Sequence, residues 1–266
     1  MDRAGVPALR HRGARAAARR REAALEARLA HPIFAPLRPW LDLLGSEPTH
    51  DALNAASARA ALRTESGRPV RFTAPSGADR YYEVHLYASG EVQTRPGNRH
   101  DLFNALCWLA FPRTKSRINA LHAAAIPHEG GRRGRLRDLL TIFDEGGALV
   151  ACADESLNRM IREFRWRDLF WEERARVLAG MRFLVLGHAT LEQALEPRPG
   201  ITCKALFIDP AADADAQAAA WLGALPADAS PRLLAPLPVF GYPGWLPETE
   251  RAEFYDERRY FRTPGE

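Results

Sequence analysis

The chain has 266 residues, 46% hydrophobic and 26% charged, the balance of an ordinary globular protein. No run of eighteen apolar residues occurs, which excludes a membrane-spanning helix, and the first residues lack the positive-then-apolar pattern of a secretory leader, so a cytoplasmic protein is expected. The net charge of +4 resides in the first 28 residues, where eight arginines face Asp2, Glu22 and Glu26; the remainder sums to −1, which makes nucleic acid an improbable partner for the folded body. Cys107, Cys152 and Cys203 lack CxxC spacing and cannot build a disulfide framework, consistent with a reducing compartment.

In chain order, residues 1–30 read as a basic Ala/Arg-rich tail with a short helix near 17–30, and 31–266 as one globular domain. A transit peptide also fits the tail's composition, beside the plainer reading of a frayed terminus. The three prolines of 31–40 suggest a linker, and Thr49 or Asp51 can start a helix running to about Arg63. Val70–Thr73, Tyr81–Ala88 and Val92–Thr94 have strand character, with Tyr82, Val84 and Leu86 alternating and Ser89-Gly90 suited to a hairpin turn. Helical patterns follow at 100–111, 114–125, 134–145, 155–164 and 167–179, with an apolar run at 148–153. Strands at 181–186 and 202–208 flank a helix at 188–195, and a further helix covers 213–223. The prolines of 231–247 forbid regular structure while the apolar residues among them demand burial, so that segment is expected to lie extended across the core. The sum is a predominantly helical α+β fold with a small antiparallel sheet.

Chemistry concentrates after residue 98. From Leu102 to Phe111 nine of ten positions are apolar, the pattern of a buried helix, yet His100, Asp101 and Asn104 lie together on its first turn. After Pro112, Lys115, Asn119 and His122 share one face of the next helix, apart from its Ile118 and Leu121 stripe. Two polar stripes on consecutive helices can face each other, although caps and solvated side chains account for the same residues. Asp144 and Glu145 end a helix where carboxylates oppose the macrodipole, so a cation is expected there, either an arginine or a divalent metal ion. His188 follows Gly187 at a strand-to-helix junction and shares a face with Glu192. Asp154 and Glu155 read as N-terminal caps, and Gly130 to Arg135 as a loop able to hold an anion or, more plainly, to sit in solvent. GxGxxG, GxxxxGK[ST] and GxSxG are absent.

Arg99-His-Asp-Leu-Phe-Asn-Ala-Leu-Cys-Trp108, Phe111-Pro-Arg-Thr-Lys115, Phe143-Asp-Glu-Gly146, Gly187-His-Ala189, Pro236 to Trp245 and Phe254-Tyr-Asp256 together resemble the domain of unknown function 3025 family, over about residues 30–263. Arg99 departs from the aromatic residue usual before that histidine. The resemblance implies a bacterial intracellular protein and supplies no activity.

The residues themselves suggest a polar pocket of His100, Asp101, Asn104, Lys115, Asn119 and His122, closed by Asp144, Glu145 and His188 as a cation site. In that arrangement a histidine is the general base and Lys115 stabilises an anion, which suits hydrolysis of a small anionic substrate, assisted by a divalent cation. A non-catalytic ligand-binding or scaffold protein, whose Pro/Trp segment meets a partner, is the alternative. A His-Me-finger-like nuclease, with a hairpin before His100 and Asn119 on a helix, is a minor one.

Overall fold

A computed structural model describes residues 23–44, 49–75, 81–130 and 133–263; the basic tail through residue 22 lies outside them. Helix α1 covers residues 23–29 and buries Leu29 in the main core. The expected linker is instead a 3-10 helix, Pro32–Leu44, because Ile33, Phe34 and Leu37 bury completely and Phe34 stacks on Phe103 at 6.1 Å. The proline count concealed an apolar face.

Helix α2, His50–Arg59, starts at Thr49, whose hydroxyl accepts from the Ala52 amide. Strands β1, Arg71–Thr73, and β2, Glu91–Gln93, pair in parallel, connected through helix α3, Tyr82–Ser89. This corrects the expected hairpin. Alternation would have buried Val84, which is exposed, whereas helical spacing buries Leu86 and turns Tyr82 and Glu83 inward. Gly90 is the left-handed C-cap of α3, with φ +80° and its Cα against the Pro69 carbonyl, so the Ser89-Gly90 signal marks a helix end.

Helices α4, Arg99–Ala110, and α5, Pro112–Ala125, fall where expected, with Asn98 capping the first by accepting from the Asp101 amide and Pro112 opening the second. Then come α6, Arg135–Gly146; β3, Gly147–Ala151; and α7, Glu155–Arg162, capped by Asp154. The expected 167–179 helix divides into a π-helical turn, Asp168–Glu172, and α8, Arg174–Gly180. Strand β4, Arg182–Val185; α9, His188–Gln193; β5, Cys203–Ile208; α10, Ala214–Gly223; and β6, Ala235–Leu237, follow.

The larger sheet has the order β4-β3-β5-β6. It is mixed and not wholly antiparallel: β3 runs parallel to β5, while β4 and β6 are antiparallel to their neighbours. All five residues of β3 are buried, as expected for a strand covered on both faces. Ala148 and Val150 join the main core, formed with α4 and the 3-10 helix, while Leu149 and Ala151 join a second core under α5, α6 and α10. The proline-rich segment is extended only at β6, an edge strand that tolerates Pro236; beyond it the chain folds into short 3-10 turns. Those turns bury Phe240 and pack Tyr242 and Trp245 against Phe183, and the Tyr260 hydroxyl accepts from the Phe240 amide while donating to the Ile201 carbonyl. Among the described residues no helix is long and apolar enough to cross a membrane.

Candidate functional site

Three elements converge on one line of polar groups. The first turn of α4 carries His100, the end of α6 carries Asp144, and α9 begins at His188. Gly187 brings the last two together: its amide donates to the Gly147 carbonyl at 2.9 Å, and a Cβ at that position would lie 2.6 Å from the Glu145 carbonyl oxygen, Gly146 Cα and Gly147 nitrogen. The glycine is needed here for close approach of two backbones.

From that junction the contacts run in series. His188 Nδ1 donates to the Asp144 carbonyl at 2.8 Å, and its Nε2 lies 3.1 Å from His100 Nε2. His100 Nδ1 meets Glu192 Oε2 at 3.1 Å. Inward from His188, the Asp144 carboxylate pairs with Lys115 Nζ, which also donates to Asn104 Oδ1 at 2.7 Å and lies 5.9 Å from the Trp108 ring. The Lys115 side chain is 4% exposed and the His188 side chain 6%, against 40% for His100 and 36% for Glu192. The line therefore starts at an interior ammonium and emerges at a surface imidazole.

Burial pushes the His188 imidazole down to about 4, against the pull of Asp144, so the ring is neutral at pH 7. Burial alone would raise the Asp144 carboxyl; Lys115, with His188 adding, holds it below the ordinary carboxylate range. The cation expected to offset the carboxylates at the α6 terminus is thus Lys115 and not an arginine.

Of the other predicted residues, several are turned elsewhere. Asp101 accepts from the Arg95 amide at 2.8 Å and from its guanidinium at 2.7 and 2.9 Å, pinning the loop before α4. Asn119 donates to the Glu83 carbonyl and carboxylate at 2.9 and 2.7 Å. Arg137 donates to His122 Nδ1 at 3.2 Å and pairs with Glu129 at 2.9 Å. Glu145 is exposed, and among the described residues no three His, Cys, Asp or Glu side chains are grouped to hold a metal ion. The expected Asp144, Glu145 and His188 donor set is therefore not assembled, since Lys115 takes the Asp144 carboxylate and Glu145 faces solvent. The Gly130 to Arg135 loop gives its Gly134 amide to Glu129 Oε1 at 2.9 Å; residues 131–132 lie outside the described ones.

Two participants escaped selection as site residues. Glu192 was visible as the helical neighbour of His188. Glu83 was hidden by the strand reading of its segment; burial raises its carboxyl, with the Asn119 hydrogen bond opposing.

Burial also pushes His122 down to about 4; Asp144 opposes this, while Arg137, Arg133 and Lys115 add to it. The unfolded chain, with an ordinary histidine near 6.5, binds the proton more readily, so this contribution to stability is present above pH 6.5 and lost as the pH falls toward 4. We expect His122→Asn to flatten the wild-type loss of stability between those limits by about 2–3 kcal/mol, measured by urea unfolding at pH 7.0 and 4.5. Parallel pH profiles for the two proteins would contradict this assignment.

The fold and site define a predominantly helical α+β protein with a buried Lys–Asp pair wired to a surface-reaching histidine pair. Residues 70–264 match the family described as protein of unknown function DUF3025, and the chain belongs to that family. No curated protein and no solved structure matches the chain.

Proposed function

We propose that the protein is a hydrolase acting on a small anionic substrate, with the His100–His188 pair as its acid–base centre. The observation that supports this is the His100–His188 contact itself: a half-exposed imidazole backed by a buried one, with Glu192 and the Asp144 carbonyl fixing the outer nitrogens. Buttressed imidazoles of this kind move protons between water and a leaving group. Arg99, exposed beside His100 on the first turn of α4, supplies positive charge for an anionic substrate. Lys115, buried and neutralised by Asp144, acts by positioning that carboxylate and not by touching substrate. The three cysteines are free and buried, which suits a cytoplasmic location.

A second reading has its own support. Asp101–Arg95, Asn119–Glu83, His122–Arg137 and Lys115–Asp144 satisfy one another, as structural networks do, which favours a non-catalytic ligand-binding or scaffold protein. The nuclease reading loses its premise, because α3 replaces the hairpin before His100.

A panel of phosphate, sulfate and carboxylate esters separates the first two. Hydrolysis of one anionic class, falling at least about 100-fold in His100→Ala with the fold retained, is the expected result. Absence of hydrolysis across the panel, or activity unchanged in the variant, would favour the scaffold reading.

A further inference from the structure

The structure assigns Glu83 as the general acid that protonates the leaving group in the proposed hydrolysis. This rests on the hydrolase reading and adds a residue to it. Glu83 sits in the first turn of α3, which packs on α5, where Lys115 and Asn119 lie one turn apart, about 5–6 Å between Cβ atoms. Lys115 holds Asp144 and Asn119 holds Glu83, so the two carboxyls stand side by side along one helix face. Asp144 continues to the histidine pair, its Oδ2 lying 3.6 Å from His188 Nδ1. Lys115, Asn119 and His122 are buried, whereas Glu83, Asn104 and Asp144 are half-buried, so Glu83 and Asp144 line a recess floored by α5.

Two features fit Glu83 to give up a proton. First, it has no cation. Lys115 is committed to Asp144 and Asn104, and Arg137 to Glu129 and His122, so among the described residues no ammonium or guanidinium pairs with the Glu83 carboxyl. Burial without a paired charge, with Asp144 adding, favours the protonated acid; the Asn119 bond, Lys115 and Arg137 oppose this without cancelling it. Second, the proton has a defined place. One Asn119 Nδ2 hydrogen goes to the Glu83 main-chain carbonyl, which fixes the amide, and the other goes to Oε2. Oε2 is thereby an acceptor, and the acidic hydrogen falls on Oε1, which no described residue engages. In the hydrolysis a water gives a proton to the histidine pair as its oxygen bonds to the ester centre; the bond to the leaving-group oxygen breaks, and that oxygen takes the Oε1 proton. The pair then returns its proton to Glu83 through solvent, acting as base in the attack and as acid in the return.

The test compares alkyl and nitrophenyl esters of the anionic class that the wild type hydrolyses, since a nitrophenolate leaves without a proton and an alkoxide does not. In Glu83→Gln the alkyl-ester kcat is expected to fall at least about 100-fold and the nitrophenyl-ester kcat to stay within about threefold of wild type. Independently of how that variant folds, the wild-type chain labelled with ¹³C-glutamate should show the infrared band of a protonated glutamic acid at pH 7. Equal losses on both esters, undiminished alkyl-ester hydrolysis or absence of the band would overturn the assignment of Glu83 alone. A wild type inert on every ester would refute the hydrolase reading itself and this role with it.

Discussion

Replacing Lys115 with Met is expected to cost about 3 kcal/mol and to lower the melting temperature by roughly 6–12 °C. The side chains are similar in length, so packing changes little; what disappears is the charge that neutralises Asp144. That carboxylate is 20% exposed, and its backbone ends α6, where the helix dipole already disfavours negative charge. Asn104 loses its donor in the same step. The wild-type cost of burying both ions is already present in the native state, so a Lys115→Met/Asp144→Leu double variant should recover much of the loss. Urea unfolding of the two singles and the double measures the coupling. A Lys115→Met loss below about 1 kcal/mol would show that the pair contributes little.

Gly187→Ala should be comparably damaging, at about 3 kcal/mol, though for a different reason. Its φ of −66° is open to any residue, so the cost is steric: the added methyl meets three backbone atoms of the 145–147 segment at 2.6 Å, none of which can rotate away. Relief requires α9 to move from the start of β3, which separates His188 from the Asp144 carbonyl. The variant should therefore lose activity as well as stability. Gly180→Ala is the control, because nothing lies within 4 Å of its Cβ position; that change should be neutral or slightly stabilising. Equal melting temperatures for Gly187→Ala and wild type would refute the close approach.

Both substitutions address groups that the sequence marks unevenly. Lys115, Asp144 and His188 stood out for different local reasons: a lysine in a polar stripe with Asn119 and His122, an acid at a helix C-terminus, a histidine after a strand glycine. Such local patterns are readable without a fold. Which of them meet is decided by tertiary packing, and Asp101, Asn119 and His122 show the limit: they share helix faces with His100 or Lys115, yet their partners are Arg95, Glu83 and Arg137. The helices from α4 to α6 and the strands β4 and β5 were legible because their apolar periods are long or continuous. Helix α3 was not, because the eight residues of Tyr82–Ser89 satisfy two-residue alternation and helical spacing alike, and Gly90 serves a hairpin or a C-cap equally well. The Pro32–Leu44 3-10 helix was missed for the opposite reason: prolines that argue against an α-helix are compatible with a tighter turn carrying Ile33, Phe34 and Leu37 inward.

The acid–base reading depends on the tautomer that His188 presents to His100, and a long-range ¹H–¹⁵N spectrum of the histidine rings reads it directly. At pH 7 the His188 ring should be neutral, protonated on Nδ1, with its Nε2 carrying the shift of an unprotonated acceptor turned toward His100. A His188 ring protonated on Nε2, with Nδ1 bare, would contradict the account, since the Asp144 carbonyl would then have no donor.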